Sequence, residues 1–211
     1  TSAAALATVT SLSTGTTYTF RITAVNSVGS GSTSTWVSEP VGQPTINVLD
    51  EANGNLWWPS IAISPTSGNP GISYRHPDGA KFAACNNPTC TSASLVVFDD
   101  SAGATGGTSL VYGNQGYPIV AYYHGPDTGL KVATCTSTCT HPQVIYTIDI
   151  GHGSDTGANP SIGLKSDGTP FIAHMYSSGG KIRMANCLQP DCSGFSNGNN
   201  NNGIAGVGFE G

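Results

Sequence analysis

The residues best spaced for chemistry are six cysteines in three close pairs: Cys85 and Cys90, Cys135 and Cys139, Cys187 and Cys192. Two thiol chemistries compete for them. A structural zinc site gathers four ligands, usually from two Cys-x2-4-Cys pairs or with histidine. Here successive pairs lie 50 and then 52 residues apart, counted between first cysteines, and each brackets a short polar loop. Local disulfides, each pinning one turn of a repeated unit, account for that recurrence better than a metal. On the chain-entropy model a loop this small contributes about 2 kcal/mol. Lasting disulfides imply an oxidising compartment, so the expected location is extracellular or at the cell surface.

Other chemistry is harder to assemble. Hydrolysis of a glycosidic bond needs two carboxylates facing the scissile bond, and the three glutamates, Glu39, Glu51 and Glu210, are scattered. The three arginines, Arg21, Arg75 and Arg183, are too dispersed to read as a clamp for an acidic substrate. His76 and His124 recur at matching positions, while His174 stands where Tyr74 and Tyr122 stand in the other copies. That exchange with aromatics suits packing or a rim role better than a metal cluster. Serine is so abundant that no Ser-His-Asp constellation can be told from background. The stretches from Asp99 to Gly103 and from Asp149 to Asn159 offer oxygen ligands of the kind that hold Ca2+, but their spacing matches no fixed motif. No cofactor is expected, Ca2+ being the one ion such loops would suit. Trp57 and Trp58 are the candidate ligand contacts. Paired indoles stack on a sugar ring or a partner surface, or plug the gap between packed sheets, and packing is the expected use of at least one of them.

These side chains must be held by an unusual background. Charged residues make up 9% of the chain, against about 25% in an ordinary soluble domain, while Gly, Ser, Thr and Asn abound. Good helix formers are scarce and no long stretch repeats at helical spacing. The fold class is therefore all-β, with short strands and many turns. The net charge of −5 comes with no clustered basic footprint, so no nucleic-acid partner is expected. No apolar run approaches the ~18 residues of a membrane span. The chain opens at Thr1 without a signal-peptide pattern, so any export signal is expected outside this segment or already removed.

From Thr17 to Val25 the sequence alternates, with Tyr18, Phe20, Ile22 and Ala24 on one face and hydroxyl or charged residues on the other. This predicts one half-buried antiparallel strand, returning after an Asn-Ser-Val-Gly-Ser-Gly turn as a last strand over Thr33–Val37. Leu12, Gly15, Thr16, Tyr18, Phe20, Ile22, Ala24, Val25, Asn26, Gly29, Gly31 and Ser34 together resemble the C-terminal half of a fibronectin type III domain. The resemblance implies a sandwich edge with a tyrosine corner, in which the Tyr18 phenol bonds to upstream backbone. Strands of such a domain that precede Leu6–Leu12 are absent, and two or three strands cannot bury two sheet faces.

Self-comparison shows three copies of one unit. Pro59–Ile63 aligns with Thr108–Tyr112 and Pro160–Leu164; Pro70–Tyr74 with Pro118–Tyr122 and Pro170–His174; Lys81–Cys85 with Lys131–Cys135 and Arg183–Cys187. A fourth strand follows the first two cysteine loops, over Leu95–Asp99 and Val144–Asp149, and Thr45–Asp50 reads as an outer strand ahead of the first unit. Four short strands per ~50 residues is the unit of a β-propeller blade. The repeats resemble propeller-like arrays of bacterial secreted proteins. Propellers of this kind include sialidases, but Ser166-Asp167-Gly168-Thr169 is a compressed sialidase box without its Trp, and a turn explains it.

The expected organisation is a partial fibronectin type III-like sandwich over residues 1–40, then three four-stranded propeller-like blades over 41–194. Residues 195–211 form a Gly/Asn-rich low-complexity tail or the start of a further strand. The expected function is a non-catalytic, adhesion-like binding or scaffold module and not an enzyme. Its partners would be a protein or carbohydrate ligand at a cell surface, or copies of itself. The alternatives are a filament subunit built by inter-chain strand pairing and a fragment of a sialidase-like glycoside hydrolase.

Overall fold

The computed structural model describes residues 8–40, 46–52, 56–100, 105–135, 144–150, 156–176 and 180–196. The chain divides into two units, Thr1–Ile46 and Asn47–Gly211.

In the first unit, β1 (Thr17–Phe20) pairs antiparallel with β4 (Val37–Pro40), and β2 (Thr23–Asn26) with β3 (Gly29–Thr33). The single strand expected from Thr17 to Val25 is thus interrupted at Arg21 and Ile22, and the returning strand at Ser34. Ser34 causes the break locally: its Oγ accepts the Ile22 N–H at 2.9 Å, while its own N–H donates to the Ile22 carbonyl at 2.8 Å. The expected burial of one face is confined to Tyr18 and Phe20, since Ile22 and Ala24 stand exposed.

The second unit is built from three four-stranded antiparallel meanders. The first is β5 (Trp57–Ile63), β6 (Pro70–His76), β7 (Gly79–Cys85) and β8 (Ala93–Asp99). The second is β9 (Thr105–Tyr112), β10 (Pro118–His124), β11 (Gly129–Thr134) and β12 (Val144–Ile150). The third is β13 (Thr156–Leu164), β14 (Pro170–Tyr176), β15 (Lys181–Cys187) and the short β16 (Phe195–Ser196). Every strand expected in the three repeats forms, while 46–50 carries no ladder and is not the outer strand expected there.

The period of two along each strand explains the stacking. In β10, Val120 and Tyr122 join Phe82, Phe98 and Leu110 in a core between the first and second sheets. Ile119 and Ala121, on the other face, join Leu130, Ile148, Ile162 and Ile172 in a core between the second and third. A strand buried on both faces reads as a continuous apolar run, which is what Pro-Ile-Val-Ala-Tyr-Tyr is. Gly71 is fixed by this packing, because a Cβ there would collide with the Tyr112 hydroxyl and the Phe82 ring.

The innermost strand of each sheet has an open edge, whose N–H groups still need acceptors. The preceding sheet supplies them. Leu110 N–H donates to Ser60 Oγ at 3.0 Å, and Ile162 N–H to Ser109 Oγ at 3.1 Å. The same serine of the repeat therefore bonds sheet to sheet at both junctions. Cys85–Cys90 and Cys187–Cys192 are disulfides. Cys135 is disulfide-bonded as well, and its expected partner Cys139 lies outside the described residues.

Candidate functional site

Asp99 and Asp149, at the ends of β8 and β12, and Asp50, in the segment ahead of the first sheet, each reach the second strand of the sheet that follows. Asp50 accepts the Tyr74 hydroxyl at 2.7 Å and Lys81 Nζ at 3.1 Å, with His76 Nε2 at 3.8 Å. Asp99 accepts the Tyr122 hydroxyl at 2.7 Å, with His124 Nε2 at 3.7 Å. At the third position the aromatic and the histidine exchange places. Asp149 accepts Arg183 Nη1 and Thr156 Oγ1, both at 3.0 Å, and His174 Nε2 lies 3.7 Å away. Gly157 N–H donates to His174 Nδ1 at 3.1 Å, which assigns the ring proton to Nε2, facing Asp149.

The electrostatics follow from this geometry. Burial alone would raise the Asp50 carboxyl, but hydrogen bonds from Tyr74 and Lys81 outweigh it and hold the group below its usual range. Burial, reinforced by the aspartate each one bonds, pushes the phenols of Tyr74 and Tyr122 well above theirs. Burial holds His174 below the ordinary imidazole value against the opposing pull of Asp149. These three clusters are structural in design. The Asp99 and Asp149 clusters each stand at a junction between sheets, and the Asp50 cluster repeats the arrangement on the first sheet. Each brings a largely buried carboxylate together with hydrogen-bonding partners.

Sequence reasoning saw the tyrosines and histidines recur but not what they meet. The signal was present, because Asp50, Asp99 and Asp149 all stand at the end of the fourth-strand pattern. His76, His124 and His174 are not brought together. Among the described residues no group of three metal-ligating side chains forms. Asp167 caps the β13–β14 turn by accepting Thr169 N–H at 2.9 Å and its hydroxyl at 2.6 Å, as a turn reading of that stretch requires.

One place departs from the repeat. All three inner strands carry a bulge with a left-handed residue two positions before the repeated serine: Trp58 (φ 52°), Gly107 (φ 73°) and Asn159 (φ 47°). Glycine adopts this conformation freely and asparagine tolerates it, whereas a bulky aromatic there is strained. Bulges of this kind re-aim side chains and gather beside functional sites. The Trp58 backbone is pinned by Thr108, whose hydroxyl lies 2.9 Å from the Trp58 carbonyl. Its indole is 41% exposed and that of Trp57 43%, the rings meeting edge to face with centroids 5.2 Å apart. Arg75, the ladder partner of Trp57, lays its guanidinium 5.0 Å from one ring centroid and 5.7 Å from the other. No ion pair holds Arg75 among the described residues.

Leu56, which runs directly into Trp57, helps line an open depression of about 550 Å³ with Asp50, Glu51 and Ala52. Asp50 is committed to Tyr74 and Lys81. Glu51 is exposed, so its carboxylate is the one open to a ligand. The depression itself is lined by those four residues. Trp57 and Trp58 follow Leu56 along the chain, with Arg75 beside them, and indole faces and a guanidinium are groups that stack on sugar rings and donate to their hydroxyls.

No protein-family model matches the sequence, and no curated protein is similar to it. Solved structures are similar in fold. A family GH43 β-1,3-galactosidase, BT3683, solved with galactodeoxynojirimycin, superposes with a TM-score of 0.50 at 13% identity, over 76% of this chain and 63% of that one. A second GH43 β-1,3-galactosidase, BT0265, gives 0.49 at 14% identity, over 90% of this chain and 44% of its own. The chain thus spans less than two thirds of either structure. The first likeness, with the three successive four-stranded antiparallel sheets, establishes an all-β, propeller-like fold. It also corrects two expectations, that the chain is a non-catalytic binding or scaffold module and that it is not an enzyme. Both rested on the scatter of carboxylates and arginines along the chain, yet the structure that carries this likeness is a GH43 β-1,3-galactosidase. Among the described residues no helix is long and apolar enough to cross a membrane.

Proposed function

We propose that this chain is the sugar-binding part of a glycoside hydrolase propeller. The observation that carries the reading is Trp58. It holds a strained left-handed position and an exposed indole where the sister repeats have Gly107 and Asn159. The repeat folds without an aromatic there, so the strain is accounted for by a ligand rather than by packing. Trp57 and Trp58 supply the stacking faces, Arg75 donates to ring hydroxyls and Glu51 accepts from them. The repeated aspartates hold the sheets in register beneath. Galactosides with β-1,3 linkages, named by the structural neighbours, are the sugars to try first.

The finer parts of the reading have their own support. The Tyr18 hydroxyl accepts the Ser13 N–H at 3.0 Å, which suits a fibronectin type III-like tyrosine corner in residues 1–40. Two disulfides suit an extracellular setting. The test is calorimetric titration of the chain with β-1,3-linked galacto-oligosaccharides, alongside assay of released galactose. Binding is expected at millimolar sugar or tighter, lost in Trp58→Asn, whose circular dichroism stays unchanged. If neither binding nor hydrolysis is detected across a panel of neutral glycosides, the reading fails.

A further inference from the structure

Three neighbouring positions of the first sheet differ together from their counterparts in the other two. Along the ladders between first and second strands, Trp57 faces Arg75, Gly106 faces Tyr123 and Ala158 faces Met175. Trp58 stands where the sister sheets have Gly107 and Asn159. The first sheet thus gathers two indoles and a guanidinium where the others hold uncharged residues and no indole. The second and third sheets fold without any of the three.

Arg75 is also set apart by its partners. The chain carries 12 acidic and 7 basic side chains, so acids outnumber the bases that could pair with them. Four cations of the second unit have an aspartate beside them: Lys81 lies 3.1 Å from Asp50, Lys131 2.8 Å from Asp127, Lys165 3.9 Å from Asp167 and Arg183 3.0 Å from Asp149. The Arg75 side chain has no such carboxylate among the described residues. Its contacts are the two indoles, with ring centroids 5.0 and 5.7 Å from the guanidinium carbon. The rings meet at 82°, and the guanidinium lies against both. Stacking of this kind orients the guanidinium plane and leaves its N–H fork unused. A planar fork matches an oxyanion, which it holds by two parallel charge-assisted hydrogen bonds. The net charge of −5 opposes an anionic ligand at long range, so a preference for one has to come from a local cation.

We propose that Trp57, Trp58 and Arg75 select a galactoside that carries an oxyanion, a carboxylate or a sulfate ester, on the sugar that stacks on the indoles. The selection rests on the sugar contact proposed above and adds a charge to the ligand it names. The indoles take the apolar face of the ring and Arg75 takes the oxyanion. The arginines of the chain stay dispersed, and no cluster of them is needed, because one oriented guanidinium supplies both hydrogen bonds.

Calorimetric titration of the whole chain with methyl β-galactoside, methyl β-galacturonide and methyl β-galactoside 6-sulfate tests this. At least one anionic sugar should bind ~10-fold more tightly than the neutral one, the margin of charge-assisted over neutral hydrogen bonds. Which of the two gains more identifies the oxyanion. Arg75→Gln, at a partly exposed position, should melt within a few degrees of wild type and bring the ratio of anionic to neutral affinity to one or below. Lys165→Gln removes the same charge from the β13–β14 turn and should leave that ratio unchanged. A neutral sugar bound as tightly as both anionic ones overturns the selection and leaves the sugar contact standing. So does a ratio that survives Arg75→Gln, or one that falls equally with Lys165→Gln. Binding of none of the three sugars overturns both.

Discussion

Removing one hydroxyl at the centre of the second unit tests whether the aspartate contacts hold the sheets together. Tyr122 is fully buried and its hydroxyl donates to Asp99 Oδ2 at 2.7 Å, a carboxylate that is itself 8% exposed. Tyr122→Phe keeps the ring against Phe98, whose centroid lies 5.3 Å away, and leaves no cavity larger than an oxygen atom. The loss is one charge-assisted hydrogen bond from a buried carboxylate, about 1.5–3 kcal/mol. For a unit of this size that corresponds to a melting shift of about 4–10 °C. Tyr74→Phe is the internal comparison. Asp50 keeps Lys81 at 3.1 Å and is less buried, so the cost there should be about 1 kcal/mol. Urea denaturation followed by near-ultraviolet circular dichroism reads both as midpoint shifts at unchanged slope. A Tyr122→Phe protein within about 0.5 kcal/mol of wild type, or one no more affected than Tyr74→Phe, would refute the reasoning.

Three further outcomes follow from the junction geometry. His174 is held neutral by burial, so the unfolded chain gains protons below about pH 6.5 while the folded chain resists them. Stability is therefore full above that pH and falls as pH drops toward the folded value; His174→Gln should flatten this slope in thermal melts from pH 7.5 to 5. Ser109→Ala leaves the buried Ile162 N–H without its acceptor and should cost about 1 kcal/mol in urea. Gly157→Ala should cost more, about 2–3 kcal/mol, because φ is +87° there and a Cβ would meet the Leu130 backbone; protein that melts normally would contradict the close approach.

The fold was readable where the repeat itself carries the information. Three copies of Pro/Thr-Ser-apolar, then Pro-apolar, then Lys/Arg-apolar-Ala-x-Cys place nine strands, and the apolar runs after the first two cysteine loops place two more, because register in a sheet buried on both faces is set by apolar runs and period-two faces. What was not readable is what each polar residue meets. Ser60 and Ser109 look like any other serine in a serine-rich chain, and only the stacking of two sheets shows them accepting an edge N–H. Asp50, Asp99 and Asp149 are loop-like by composition, since nothing local reveals that a tyrosine or histidine some 25 residues later lies within reach. The strand expected over Thr45–Asp50 failed for the reason that limits β-propensity generally: a strand needs a neighbour. Nothing in the sequence singles out Trp58 for its backbone, because the left-handed conformation it shares with Gly107 and Asn159 is not reported there, and only that conformation makes an aromatic at this position a strained departure from the repeat.

The proposed sugar contact at Trp57 and Trp58 can be tested directly, because the chain holds three tryptophans and one of them is a built-in control. In a nitrogen-15 spectrum, titration with a β-1,3-linked galactoside should shift the indole N–H signals of Trp57 and Trp58. Trp36, in the first unit under the Arg21 guanidinium, should stay where it is. Three signals that never move, or that all move together, would contradict the account.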